Sequence, residues 1–123
     1  MEMENNIVAA KSKIFAIRII KFYQYLCENK REYVISKQLL RSGTSVGANV
    51  RESKNAQSGA DFVNKLNIAL KEADETSYWL ELLYESDIIS EVEYNSLYGD
   101  CSELIKLLVS IIKKLKQKSN LSK

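Results

Sequence analysis

The sequence predicts an all-α protein, folded as an antiparallel up-down-up-down four-helix bundle. The 123 residues include no proline and only four glycines, so almost nothing interrupts a helix. Apolar residues recur three and four positions apart along four long segments, which is the period of a helix. The connectors between these segments are short, which makes consecutive helices antiparallel neighbours. We therefore expect one domain, residues 1–123, with helices at about 5–27, 36–57, 59–86 and 91–118.

The first predicted helix has an apolar face that is wider than one bundle core requires. Its main seam is Val8, Ser12, Phe15, Ile19, Phe22 and Leu26, and a second seam is Ile7, Ala10, Ile14 and Ile17. Other apolar residues also fall outside the seams, namely Ile20, Leu40, Trp79, Leu82, Ile105 and Ile112. Some of them are expected in the core, and an ordinary core position is the alternative for Trp79. Surplus apolar surface on several helices is typical of proteins that associate, so we expect a homo-oligomer.

The second predicted helix contains Gly43 and Gly47 near its middle, and each costs about 1 kcal/mol relative to alanine. A helix tolerates that cost where another backbone comes close, so we interpret both glycines as close-packing positions. The core seam is predicted at Leu39, Gly43, Val46 and Val50, after an N-cap at Ser36. Beside this seam lies a polar stripe, for which we favour a structural helix or subunit contact over direct ligand binding: Arg41, Ser45, Asn49 and Glu52.

The third and fourth helices each begin with a capping-box pattern. Ser58 precedes Asp61, and Ser90 precedes Glu93, at the three-residue spacing that lets the two residues cap the helix reciprocally. The predicted seams keep a 4-3 rhythm typical of shallow, knobs-into-holes packing. They are Phe62, Leu66, Ala69, Ala73, Thr76, Leu80 and Leu83, then Tyr94, Leu97, Cys101, Leu104, Leu108, Ile111 and Leu115.

The absence of histidine excludes several kinds of catalytic and metal site. Ferritin-like di-iron centres need Glu-x-x-His motifs, and serine or cysteine triads lose their usual base. No glycine-rich phosphate loop is present, and carboxylate pairs such as Glu72 with Glu75 are usually surface charge. We therefore predict a non-enzymatic protein with no cofactor and no metal site.

Cellular location is predicted from the cysteines and from the missing targeting segments. The chain has no secretory signal pattern and no apolar run long enough for a membrane helix. Cys27 and Cys101 are then expected to be reduced thiols in the cytoplasm, although a disulfide between them is the alternative.

Charge is sorted along the chain. Residues 1–71 carry 12 basic and 6 acidic residues, residues 72–103 carry 10 acidic and no basic ones, and residues 104–123 carry 6 lysines and no acid. In the bundle this gives one acidic and one basic end, with Arg18 assigned to the basic end. Helix dipoles account for only part of the sorting. The basic end predicts nucleic-acid binding without sequence readout; the candidate residues are Lys11, Lys13, Arg51, Lys54, Lys65, Lys113, Lys114 and Lys116.

The alternative is a protein-interaction scaffold with no direct role in nucleic-acid binding. Its basis is the acidic end together with the surplus apolar residues.

The basic end has no interleaved aromatic residues, so base stacking is not indicated there.

The segments YVISKQLLRSGTSVGANVRES and IALKEADETSYWLELL resemble the four-helix bundle proteins of the 23S rRNA intervening-sequence family, and the resemblance covers nearly the whole chain. It implies a soluble bacterial protein without catalytic activity, with Arg41, Ser45, Asn49 and Glu52 as a shared polar stripe. Glu72 and Glu75 match a position that is often acidic in the family. The family is also similar to the accessory variability determinant of diversity-generating retroelements. That similarity implies a homopentamer that binds RNA or DNA and a protein partner such as a reverse transcriptase.

One turn departs from the family pattern. Many members have Ala-Glu-Gly and then Gly-Arg soon after the asparagine, whereas this chain has Arg51, Glu52 and Ser53. A role tied to that Gly-Arg turn is therefore not carried over.

Overall fold

Four helices make up the protein. The structure, a computed structural model, describes residues 2–121 and the side chains of residues 2–118. The helices are α1 (Glu2–Asn29), α2 (Ile35–Ser53), α3 (Gly59–Glu85) and α4 (Glu91–Leu121). The predicted all-α fold is confirmed.

Each helix packs on the two that flank it in a square arrangement. α1 contacts α2 and α4, and α3 contacts α2 and α4, with the α1–α4 seam the least closely packed. Partner residues run in opposite directions along every contacting pair, so the bundle is up-down-up-down. Such partners are Ser12–Gly47 and Ile19–Gly43, Ser42–Thr76 and Glu52–Lys65, Ala73–Cys101 and Tyr84–Tyr94, and Glu4–Lys114 and Arg18–Asp100.

The core consists largely of the predicted seams. All predicted seam residues on α2 are buried, and on the other three helices all are buried except Phe22, Phe62, Tyr94 and Leu115, which are half-buried. Thr76 donates to Glu72 O at 2.7 Å and lies 2.8 Å from Ser42 Oγ, so this buried polar pair has partners.

The second seam of α1 lies outside the core. Five apolar residues on α1 are exposed, with exposed fractions from 39% for Ile7 to 75% for Met3: Met3, Ile7, Ile14, Ile17 and Ile20. By contrast, the surplus apolar residues on the other helices are half-buried or, for Ile112, buried. We call this exposed set the isoleucine face. Among residues 2–118, five of the ten exposed large apolar side chains are therefore on α1, and the other five are Tyr33, Val34, Tyr78, Val92 and Val109.

Helix starts follow the predicted caps at α3 and α4 but not at α2. Ser58 Oγ accepts from Asp61 N at 3.1 Å, and Ser90 and Glu93 form a reciprocal capping box. Ser36 is not an N-cap, because the helix already begins at Ile35 and the Ser36 side chain is buried. Glu32 caps α2 instead: its carboxylate accepts from three successive backbone N–H groups, those of residues 34 to 36.

Candidate nucleic-acid interface

Three of the eight candidate cations are already paired with carboxylates. Lys11 Nζ lies 2.6 Å from Glu103, Lys114 Nζ lies 2.7 Å from Glu4, and Lys65 Nζ lies 3.3 Å from Glu52. The hydrogen bond from Lys114 is the largest cause of the lowered pKa of Glu4, and the hydrogen bond to Glu103 raises the pKa of Lys11. Each of these three ion pairs joins two neighbouring helices, and the paired lysines offer less net charge to a ligand.

The other five candidates make no ion pair within residues 2–118. They fall into two groups, each lining a surface groove between neighbouring helices. Lys13, Arg51 and Lys54 line the α1–α2 groove, and Lys113 and Lys116 line the α3–α4 groove. The structure therefore brings the unpaired candidates together in two places.

The α1–α2 groove has a volume of about 470 Å³. Most of its lining is small, because alanines from α1 and Gly47 and Ala48 from α2 face it. The lining residues are Asn6, Ala9, Ala10, Lys13, Ala16, Thr44, Gly47, Ala48, Arg51 and Lys54, none of which is acidic. Its charge is therefore uniformly positive.

The α3–α4 groove has a volume of about 420 Å³, and its floor is more apolar. It is lined by Asn67 and Leu70 from α3 and by Val109, Ile112, Lys113, Lys116 and Gln117 from α4. Both of its cations come from α4, so only one wall is charged.

The polar stripe of α2 joins α2 to α3 through its two charged members. The Arg41 guanidinium donates to Glu72 at 3.1 Å and also binds Glu75, whose carboxylate accepts from Trp79 Nε1 at 2.9 Å. Glu52 pairs with Lys65 of α3. Ser45 and Asn49 instead donate to carbonyl oxygens one turn earlier in their own helix, at 2.7 and 2.9 Å.

Comparison with known proteins now identifies the family. The family model described as 23S rRNA-intervening sequence protein matches residues 4–110. The chain belongs to this family. A crystal structure of a protein of unknown function from the S23 ribosomal protein family of Bacteroides thetaiotaomicron is 56% identical to it. The two structures agree with a TM-score of 0.88, and the match covers 89% of this chain and 98% of that one.

No curated protein sequence matches this member of the 23S rRNA-intervening sequence family. The matched family and the structural neighbour indicate no enzymatic class. Among residues 2–121, no group of His, Cys, Asp or Glu is arranged to hold a metal ion. No described helix is both long and apolar enough to cross a membrane.

The opposite end of this family member is acidic and aromatic. Tyr94 stacks between Tyr84 and Tyr98, with ring centroids 4.6 and 4.9 Å away, and burial is the largest cause of its raised pKa. The assignment of Arg18 to the basic end was wrong: its guanidinium binds Asp100 and donates to Ser96 Oγ at 2.8 Å, in the acidic half of α4. An arginine in α1 thus neutralises part of the acidic charge of α4.

Sequence reasoning missed the alanines that shape the α1–α2 groove. Ala9 and Ala16 are seven residues apart on α1, and Ala48 follows Gly47 on α2. Small residues at helical spacing on two consecutive helices were the available signal. Considered separately, these alanines only indicated good helix formers.

Proposed function

We propose that the protein is a non-enzymatic, cytoplasmic nucleic-acid-binding protein that contacts the phosphate backbone of structured RNA or an RNA–DNA hybrid. The observation that carries the proposal is the clustering of five unpaired cations in two grooves at the basic end. When a lysine or arginine without a carboxylate partner contacts a phosphate, it displaces a counterion condensed on the nucleic acid. The released counterions favour binding without readout of the base sequence. The family name refers to 23S rRNA, which supports RNA as the first ligand to test.

Binding should depend on salt through the unpaired cations alone. Five phosphate contacts predict a slope of about −4.5 for log K against log salt on a duplex. Changing three unpaired lysines, Lys13→Gln/Lys54→Gln/Lys113→Gln, should make that slope shallower by about 2.7. The test is to measure binding to an rRNA duplex fragment by fluorescence anisotropy at a series of salt concentrations.

The matched control changes the three paired lysines, Lys11→Gln/Lys65→Gln/Lys114→Gln, and alters net charge by the same amount. Its slope should stay close to that of the wild type, because these lysines already face carboxylates. A wild type with no salt dependence, or equal slopes for the two variants, would contradict the proposal.

We also propose that the protein associates with copies of itself through the isoleucine face of α1. Met3, Ile7, Ile14 and Ile17 are spaced three, four or seven residues apart and therefore share one face of α1, yet they remain exposed. The resemblance to the retroelement accessory determinant favours a pentamer, which would repeat the basic grooves and strengthen weak contacts. Light scattering of the wild type and of Ile14→Glu/Ile17→Glu tests this; a monomeric wild type would contradict it.

A scaffold that binds another protein is the second candidate function. The stacked tyrosines beside Glu81 and Glu85 favour it, because aromatic faces flanked by carboxylates suit a basic partner surface. Affinity capture with and without nuclease distinguishes the two functions. Partners that survive nuclease favour the scaffold, and loss of all partners favours nucleic-acid binding.

A further inference from the structure

The α1–α2 groove is long enough to bind an extended chain. Its lining runs from Asn6 to Ala16 along α1 and from Thr44 along α2 to its C-cap, Lys54. Ten residues of helix rise about 15 Å, so the groove is about 15 Å long. It is therefore long enough to hold more than one unit of a polymer.

Small side chains keep the groove open. Ala10 and Ala48 are exposed and line it from opposite walls. Beneath them the two helices approach closely, since a Cβ on Gly47 would lie 3.2 Å from the carbonyl oxygen of Ser12. A ligand can thus approach the helix backbones where longer side chains would fill the space.

Positive charge stands on both walls of this groove. Lys13 projects from α1, whereas Arg51 projects from the last turn of α2 and Lys54 from the residue that follows it, and no acidic residue lines the space between them. An anionic chain lying along the groove would be flanked by cations on each side. The α3–α4 groove differs, because Lys113 and Lys116 both stand on α4 and Leu70 and Ile112 cover part of its floor.

The lining chemistry also selects among anionic ligands. No aromatic residue lines the groove, so it offers no platform for stacking a base. Methyl groups and cations suit the sugar and the phosphate of a nucleic-acid backbone. An acidic helix of a partner protein would meet the same charge, so an acidic helical peptide is the competing probe.

We propose that the α1–α2 groove is the site where one sugar–phosphate strand inserts, held between Lys13 and the pair Arg51 and Lys54. The inference rests on the proposed function and assigns the strand contact to one groove. The α3–α4 groove then adds only peripheral phosphate contacts. The small alanine side chains on the two walls become a requirement for binding, separate from charge.

Filling the groove without changing charge tests this inference. Ala10→Leu/Ala48→Leu places two larger side chains at exposed helix positions, where the fold should tolerate them. At about 0.1 M salt the affinity for an rRNA duplex fragment should fall by about two to three orders of magnitude, and the salt slope should become shallower by about 2.7, as three phosphate contacts are lost. Circular dichroism and a urea melt verify that the variant is folded.

Two matched variants complete the experiment. Ala60→Leu enlarges an exposed alanine outside both grooves, and Asn67→Leu fills the α3–α4 groove instead. Both should bind the RNA within about twofold of wild type. A loss with Asn67→Leu as large as that in the α1–α2 variant would overturn the assignment to one groove.

The outcomes separate this inference from the proposed function. If the wild type binds no nucleic acid, both the proposed function and this inference are contradicted. Wild-type affinity in Ala10→Leu/Ala48→Leu, together with a loss in the Lys13→Gln/Lys54→Gln/Lys113→Gln variant, defeats the inference alone. An alanine-rich helical peptide with glutamates along one face serves as a second probe: if the filled groove loses this peptide but keeps the RNA, the occupant is an acidic protein segment and the inference is overturned.

Discussion

Gly43 of α2 lies directly against Ile19 of α1. A Cβ atom at position 43 would come within 2.9 Å of both Cγ atoms of Ile19, a side chain that is fully enclosed by the core. Because both Cγ atoms are attached to the branched Cβ, rotation about one bond moves one away only by bringing the other in. The helices can accept a side chain at position 43 only by moving apart.

Gly43→Ala should therefore destabilise the protein by about 1 to 2 kcal/mol, although alanine is the better helix former. Gly43→Leu should cost several kcal/mol through overpacking. Urea denaturation followed by circular dichroism measures both. In the double variant with Ile19→Ala, the penalty for Gly43→Ala should shrink, because both clashing atoms are gone.

Gly99→Ala should have the opposite sign. Gly99 lies inside α4, and a Cβ built on it would meet no atom of the described residues within 4 Å apart from the adjoining backbone of its own helix. The substitution should stabilise the protein by about 0.5 to 1 kcal/mol through helix propensity alone. A destabilising result in the same urea assay would mean that this surface of α4 is covered in solution.

Glu32→Ala should destabilise the protein by about 1 to 2 kcal/mol, because it removes the acceptor for three backbone N–H groups at the start of α2. Glu32→Gln keeps one side-chain oxygen and should cost less. Amide hydrogen exchange checks the mechanism: in Glu32→Ala, the amides of residues 34 to 36 should lose more protection than the amides in the rest of α2.

Trp79→Phe should weaken the protein in a pH-dependent way. The hydrogen bond from the Trp79 indole is the largest cause of the lowered pKa of Glu75, and Arg41 lowers it further. A carboxyl whose pKa is lower in the folded state stabilises the fold above its ordinary pKa of 4.5, and that stabilisation disappears as pH falls through the folded value. We expect a loss of about 1 kcal/mol at pH 7 and a smaller loss near pH 3, from urea titrations at both pH values. Equal losses at both pH values would assign the effect to packing.

Cys27 should react with iodoacetamide well before Cys101 in the folded protein. Both thiols are free, but Cys101 is buried and donates to the Ala73 carbonyl at 3.1 Å, whereas Cys27 is half-buried. Burial raises the pKa of Cys101 to about 12, so almost no thiolate forms at pH 8. Peptide mass spectrometry after brief alkylation reads out the order, and urea should abolish the difference.

Periodicity predicted the helices and most of the core, because burial follows directly from the spacing of residues such as Leu39, Val46 and Leu66 on one helix face. Residue type predicted the wrong cap for α2, Ser36, because the carboxylate of Glu32, which precedes the predicted helix, accepts from the first backbone N–H groups instead. Periodicity also could not separate the cations that pair with a carboxylate from those that do not. Lys11 and Lys13 are alike in sequence, yet only Lys11 meets a carboxylate, that of Glu103 on the last helix.

The ion pair between Glu4 and Lys114 joins the beginning of α1 to the later part of α4 at the end that carries both basic grooves. A purification tag fused at either end of this chain would therefore emerge beside the surfaces whose binding is to be measured. Removing the tag, or making a circular permutant that opens between Ser86 and Ser90 at the acidic end, would leave the grooves unobstructed.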